Sequence, residues 1–252
     1  MLLLVSQALK QAIKKHIPAV VYKPVLLWLR RIKPIFWVNI RRMTPVSSLF
    51  GFDRGLPIDR FYIEEFLRNH SNDIKNRVLE IADPNYTLKF GGDRVTRSDV
   101  LHLTEGNSRA TLIGSLATGK GIPQDCFDCM ILTQTYHTIY DVKSALLNTF
   151  SALKEGGVLL ATLPGISQIS RYDMDRWGDY WRFTDLSARL LFSEVFGPEN
   201  VLIETHGNVL TAIAFLHGLS AKELKPAELS YHDPNYQLLI TVRAVKPLKG
   251  NT

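Results

Sequence analysis

Residues 165–183, GISQISRYDMDRWGDYWRF, hold the densest set of chemically capable side chains in the sequence. Tyr172, Trp177, Tyr180, Trp181 and Phe183 interleave with Asp173, Asp175, Asp179 and with Arg171, Arg176, Arg182. Aromatic faces offer apolar stacking, and carboxylates accept directional hydrogen bonds from hydroxyls. That combination suits a polyol or sugar ring. Asp173 and Asp175 are candidate proton acceptors, and Arg171, Tyr172, Asp179 and Tyr180 are candidate substrate contacts. The plainer reading makes the larger aromatic residues core, with Arg182 paired to an acid; Trp181 and Phe183 are expected to follow it. Upstream, His137 comes directly after TQTY. An unperturbed imidazole titrates near neutrality and can take a proton from a hydroxyl. It can also cap the following helix or pack beside Tyr136.

The elements that must position these residues are legible from Phe127 to Pro164. Asp128 opens an apolar run, Cys129–Leu132, short enough for a strand buried on both faces. Val142, Leu146, Thr149, Phe150 and Leu153 then recur at helical spacing. Lys154 is expected in the last helical turn, with Gly156-Gly157 as its left-handed stop. Val158–Leu163 reads as a second buried strand. Strand, helix and strand with short joints predict a right-handed βαβ unit in a largely parallel sheet.

These features resemble class I S-adenosylmethionine (SAM)-dependent methyltransferases, particularly the type-11 group. The resemblance rests on Phe127-Asp128, on the "hHxxxD" loop Tyr136–Asp141, and on Leu153-Lys154-Glu155-Gly156-Gly157. DYWRFT, residues 179–184, followed by a helix over Asp185–Phe196, is similar to methyltransferases associated with glycan and polysaccharide assembly. The resemblance implies a three-layer α/β/α, Rossmann-like fold with a mostly parallel seven-stranded sheet. Arg77–Asp83, Ala110–Leu116, Asn200–Glu204 and Leu238–Val245 supply further strands.

It also implies SAM as cofactor, held by Glu80, Ala82, Asp83, Asp99, Ser115, Thr133 and Gln134. Asp99 lies 19 residues after Glu80, the spacing expected of a ribose-binding acid at a second strand's end; it can also cap a turn. His137 would face the methyl acceptor. The first-strand motif departs from the family pattern, because Ala82, Pro84 and Tyr86 occupy the places of three glycines. Ser115 stands where an adenine-binding Asp is common. The expected reaction is O-methylation of a sugar or related small metabolite. The alternative is a degenerate fold that binds a ligand or serves as an adaptor in glycan assembly.

Charge divides the chain of 252 residues unevenly. Its formal net charge is +6, yet residues 1–52 contain nine Lys or Arg and no acid, leaving 21 basic against 24 acidic residues, a net −3, for the rest. Nothing in this balance suggests a nucleic-acid surface on the body, and no nucleic acid is expected as a partner. A basic amphipathic arm, residues 1–50, is expected to precede a domain over 51–247. Its apolar segments are too short to span a bilayer. Trp28, Trp37 and the Lys/Arg clusters fit peripheral membrane contact through residues 1–45, at an inner membrane surface. They fit equally well packing on the body or on a second subunit. Cys126 and Cys129 form an isolated C-x-x-C, read as two reduced thiols in a cytoplasmic protein. The histidines show no metal-site spacing, so no metal is expected.

Overall fold

The computed structural model describes residues 42–250. The proposed anchoring segment therefore lies outside the described residues, apart from its last few positions. Seven strands form one sheet: β1 (Asn76–Ile81), β2 (Val95–His102), β3 (Leu112–Ile113), β4 (Phe127–Thr133), β5 (Leu153–Pro164), β6 (Val201–His206) and β7 (Leu239–Val245). Their spatial order is β3-β2-β1-β4-β5-β7-β6. All neighbours are parallel except β7, which runs antiparallel to both β5 and β6. The expected mostly parallel sheet is present.

Helices cover both faces. They are α1 (Ile58–Asn69), α2 (Val142–Ala152), α3 (Arg171–Met174), α4 (Asp185–Phe196), α5 (Val209–Leu216) and α6 (Pro226–Ser230). The central strand β4 shows why a continuous apolar run is needed. Cys129 and Ile131 pack with Ile63, Leu67 and Phe215 of the α1/α5 layer. Met130 and Leu132 pack with Leu146, Phe192 and Phe196 of the α2/α4 layer. Alternate side chains point to opposite faces, so a strand covered on both sides must be apolar at every position.

Asp141 caps α2 by accepting from Ser144 N at 3.0 Å, which places the preceding His137 loop at the strand's exit. The end of α2 differs from expectation. The helix stops at Ala152, and Leu153 is already extended and paired with Phe127. Lys154 thus lies in β5 and donates to Asp128 Oδ2 at 2.8 Å, rather than sitting beside a helix terminus. Gly156 does adopt φ 72°, but in an irregularity within β5.

The body begins earlier than the expected boundary at residue 51. Val46 N and Ser47 N both donate to His217 O, at 2.9 and 3.1 Å. Phe50 packs on Phe215 with ring centroids 6.0 Å apart. Cys126 and Cys129 are free, and Cys129 is buried in the sheet with its thiol pushed up by burial.

Candidate functional site

Strand order reverses between β1 and β4, and a cleft opens there at the carboxyl ends of the parallel strands. Its volume is about 1160 Å³. The wall from β1 is an unusual turn. Asp83 N donates to Ile81 O at 2.8 Å across Ala82, whose φ is 67°. This is a three-residue γ-turn with a left-handed non-glycine at its centre, a strained arrangement. Ala82 keeps the positive φ that favours glycine, at a steric cost from its Cβ. Ala82→Gly is expected to raise stability by about 1 kcal/mol in urea denaturation.

Glu80 explains how the chain tolerates Pro84 and Tyr86 beyond that turn. Its carboxylate accepts from Tyr86 N at 3.1 Å, Thr87 N at 2.7 Å and Thr87 Oγ1 at 2.8 Å. Asp83 Oδ1 accepts from Asn85 N at 3.0 Å. The helical turn after Pro84 is thus capped by the chain's own carboxylates, and the prolyl residue costs no needed donor. Burial pushes Glu80 up to about 7, against the pull of the donated bonds from Thr87 and Tyr86.

A carboxyl raised by folding binds its proton more tightly in the folded chain. Its stabilising contribution is full below pH 4.5, falls as pH rises and is gone above about 7. Comparing urea denaturation of the protein with that of Glu80→Gln across this window should show a relative loss of roughly 3 kcal/mol in the native chain.

Asp99 does not reach the cleft. β2 continues three residues beyond it, to His102. Asp99 is buried and accepts from Arg77 Nε at 2.7 Å and Thr111 Oγ1 at 3.0 Å. Burial alone would raise its pKa, but the bonds from Arg77 and Thr111 hold it below the usual range. The acid that β2 delivers to the cleft is Glu105, in the loop after the strand. The Glu105-Gly106-Asn107 sequence marks that loop, whereas counting 19 residues from Glu80 stops inside the strand. Asn107 Nδ2 donates to Ala82 O at 2.7 Å and joins the two walls.

Ala82, Asp83, Ser115, Thr133 and Gln134 line the cleft together with Glu80. Ser115 follows a β3 much shorter than the expected Ala110–Leu116 strand. Gln134, at φ 48°, is a second left-handed non-glycine residue, fixed by donation from its N–H to Thr162 O at 3.0 Å. Trp177 also reaches this cleft and meets His102 edge-on, with centroids 5.6 Å apart. The sequence leaves Trp177 open between core and ligand, because its neighbours across the cleft, such as His102, are distant in the chain.

A second cleft of about 770 Å³ adjoins the first, and both are lined by Arg60, Gln134, Tyr172 and Asp173. His137 and Asp179 are in its wall. The imidazole is buried, with Nε2 4.0 Å from Asp179 Oδ1. Its Nδ1 has no hydrogen-bond partner among the described residues. Burial lowers the His137 pKa, Asp179 opposes that shift and Arg182 reinforces it. Asp179 itself is committed to Ser170 N at 2.9 Å and to the Arg182 guanidinium. Burial thus leaves His137 as a neutral imidazole near neutrality, and the bonds of Asp179 tie Ser170 and Arg182 of the 165–183 loop together beside it. Tyr180 N also donates to His137 O at 2.8 Å.

The remaining candidates separate. Arg171 lines the second cleft and Tyr180 the first, while Asp175 lines neither. Asp175 sits at the carboxyl end of α3. Phe183 is core, as expected. Trp181 is not: it is half-exposed, stacks on Tyr140 at 5.8 Å and donates to Ile139 O at 3.1 Å. Among the described residues no group of three His, Cys, Asp or Glu gathers for a metal.

No family model and no curated protein matches the chain. Solved structures do. A SAM-dependent methyltransferase from Archaeoglobus fulgidus superposes with a TM-score of 0.50 at 13% identity, covering 74% of this chain and 94% of that one. The N-methyltransferase NodS from Bradyrhizobium japonicum, in complex with S-adenosyl-L-homocysteine, matches with a TM-score of 0.48 at 12% identity, covering 88% of this chain and 97% of that one. The strand order, the single antiparallel β7 and the Archaeoglobus superposition agree: this chain has the fold of the class I SAM-dependent methyltransferases.

Proposed function

We propose that the protein transfers the methyl group of SAM to an oxygen of a sugar or related small metabolite. The observation that carries this reading is the meeting of two clefts at Gln134, Arg60, Tyr172 and Asp173, with a neutral, buried His137 in the second. The first cleft is roomy enough for a nucleoside-bearing cofactor. Glu105 and Asp83 supply hydroxyl and amine acceptors, and Trp177 supplies an aromatic face. These residue types fit SAM, with Glu80 holding the Tyr86–Thr87 turn through its carboxylate. SAM, when bound, supplies an electrophilic sulfonium methyl group.

The chain's own residues have two tasks. They align the acceptor oxygen across the junction of the clefts, and they remove one proton. His137 serves as the base. Tyr172 and Asp173 orient the acceptor, the ring by stacking and the carboxylate by accepting hydroxyl hydrogen bonds.

A second reading, a ligand-binding protein without turnover, is favoured by Pro84 and Tyr86. The Tyr86 and Thr87 amides are already taken by Glu80, which leaves fewer backbone donors for a ligand. Calorimetric titration with SAM and S-adenosylhomocysteine separates the outcomes. Saturable micromolar binding followed by methyl incorporation into a sugar panel supports the transferase. Binding without turnover on any acceptor supports the second reading, and no binding of either compound by the folded protein overturns the transferase and likewise favours the second reading.

A further inference from the structure

The second cleft has an apolar mouth. Leu49, Phe52, Ile169 and Tyr172 all line it and are 57%, 60%, 49% and 63% exposed. Single exposed apolar side chains are ordinary, but four around one opening form a surface suited to a partner. Two chain segments build this rim, joined where Gln168 Nε2 donates to Ser48 O at 3.5 Å. Arg171 stands on the same rim, exposed and without a carboxylate partner among the described residues.

The chain leading into the rim points to its occupant. Val46 and Ser47, which lead directly into the rim's Ser48 and Leu49, are fixed to His217 O, and residues 42–45 just before them are exposed. In the sequence, residues 1–45 that lead into this rim carry nine Lys or Arg and no acid. Each basic side chain near an anionic bilayer adds electrostatic attraction to it. Apolar and aromatic side chains next to such charge have the composition of an interfacial contact. Among the described residues no helix is long and apolar enough to cross a membrane.

We infer that the mouth of the second cleft docks on an anionic lipid surface, so that the acceptor enters from the bilayer as the head group of a membrane-resident amphiphile. The identity of the entering molecule as a methyl acceptor rests on the proposed transferase reading; the docking surface does not.

The test uses the full chain and co-sedimentation with vesicles of phosphatidylcholine alone or mixed with phosphatidylglycerol. Binding is expected only to the anionic vesicles, and it should weaken with salt. The double variant Leu49→Asp, Ile169→Asp should bind about tenfold more weakly, because it removes two apolar contacts and adds repulsion. Leu186→Asp with Leu190→Asp, equally exposed leucines of α4 that line neither cleft, should bind like the unaltered chain. Lys14→Glu with Lys15→Glu, outside the described residues, should also weaken binding.

S-adenosylhomocysteine titration of each variant reports the fold and the cofactor cleft independently of lipid. If the rim variant fails to fold, Ile169→Ser alone should still give a measurable loss. Unchanged vesicle binding by the rim variants overturns the inference, as does failure of the unaltered chain to bind anionic vesicles. Self-association without vesicle binding would instead make the mouth a contact between copies. Absence of cofactor binding alongside intact vesicle binding would sink the transferase reading and leave the docking surface standing.

Discussion

His137→Gln is expected to lower methyl transfer by about 100- to 10,000-fold, the range associated with losing a positioned general base. S-adenosylhomocysteine affinity should stay nearly unchanged, because His137 lines the second cleft and not the first. The pH dependence provides a second reading. Burial holds the His137 pKa below its ordinary 6.5, so the neutral, proton-accepting form predominates at neutral pH. Turnover should be lost as pH falls through a value under 6.5, and this limb should vanish in His137→Gln. Asp179→Asn should move the limb lower, since the Asp179 carboxylate supports the charged imidazole. Full turnover in His137→Gln would shift the proton-accepting role to Asp173. Loss of cofactor affinity in step with turnover would make His137 a structural residue.

Gly165→Ala is expected to cost about 3 kcal/mol or more in urea denaturation, at the upper end for overpacking. An added Cβ would lie 2.0 Å from Gln237 O, backbone against backbone, with no flexible side chain able to yield. The position matters because Gly165 is the hinge between β5 and the loop that forms the second cleft. Gly165 N donates to Leu238 O at 3.0 Å, Ile166 N to Gln237 O at 2.9 Å and Phe183 N to Pro164 O at 2.9 Å. Both ends of the 165–183 loop are thereby clamped to the sheet, and displacing one end moves Asp179 relative to His137. Gly106→Ala is the comparison. Its Cβ would meet nothing within 4 Å, and its φ of 106° leaves only backbone strain, about 1 kcal/mol. Equal losses in the two variants would show that the clamp at Gly165 yields.

The central βαβ unit was legible because periodicity records burial. A strand covered by helices on both faces must be apolar throughout, as Cys129–Leu132 is, and a helix over such a sheet must repeat its apolar residues every three or four, as Val142–Phe150 does. The helix expected over Asp185–Phe196 forms with those bounds, capped by Thr184, which accepts from Ser187 N, and closed by Gly197 N donating to Ser193 O, all local bonds. The gathering of Ser115, Thr133, Gln134, His137 and Tyr172 around two adjoining clefts also follows from strand order, which the short connections largely determine.

What failed to show in the sequence depended on distances between segments. Asp99 is kept out of the cleft by three further residues of β2 and by its bond to Arg77 of the neighbouring strand, neither of which a spacing rule contains. Lys154 chose the Asp128 carboxylate across a strand pair over a helix terminus nearby in sequence. The roles of Glu80 and Trp177 likewise arose from partners six or more residues away. Residue order therefore determined which elements form and which face of each is buried, since those depend on local periodicity. Only the tertiary structure decided which acids remain free to meet a ligand and which are consumed in holding the chain, because a carboxylate's fate is set by whatever donor folding brings within hydrogen-bond reach.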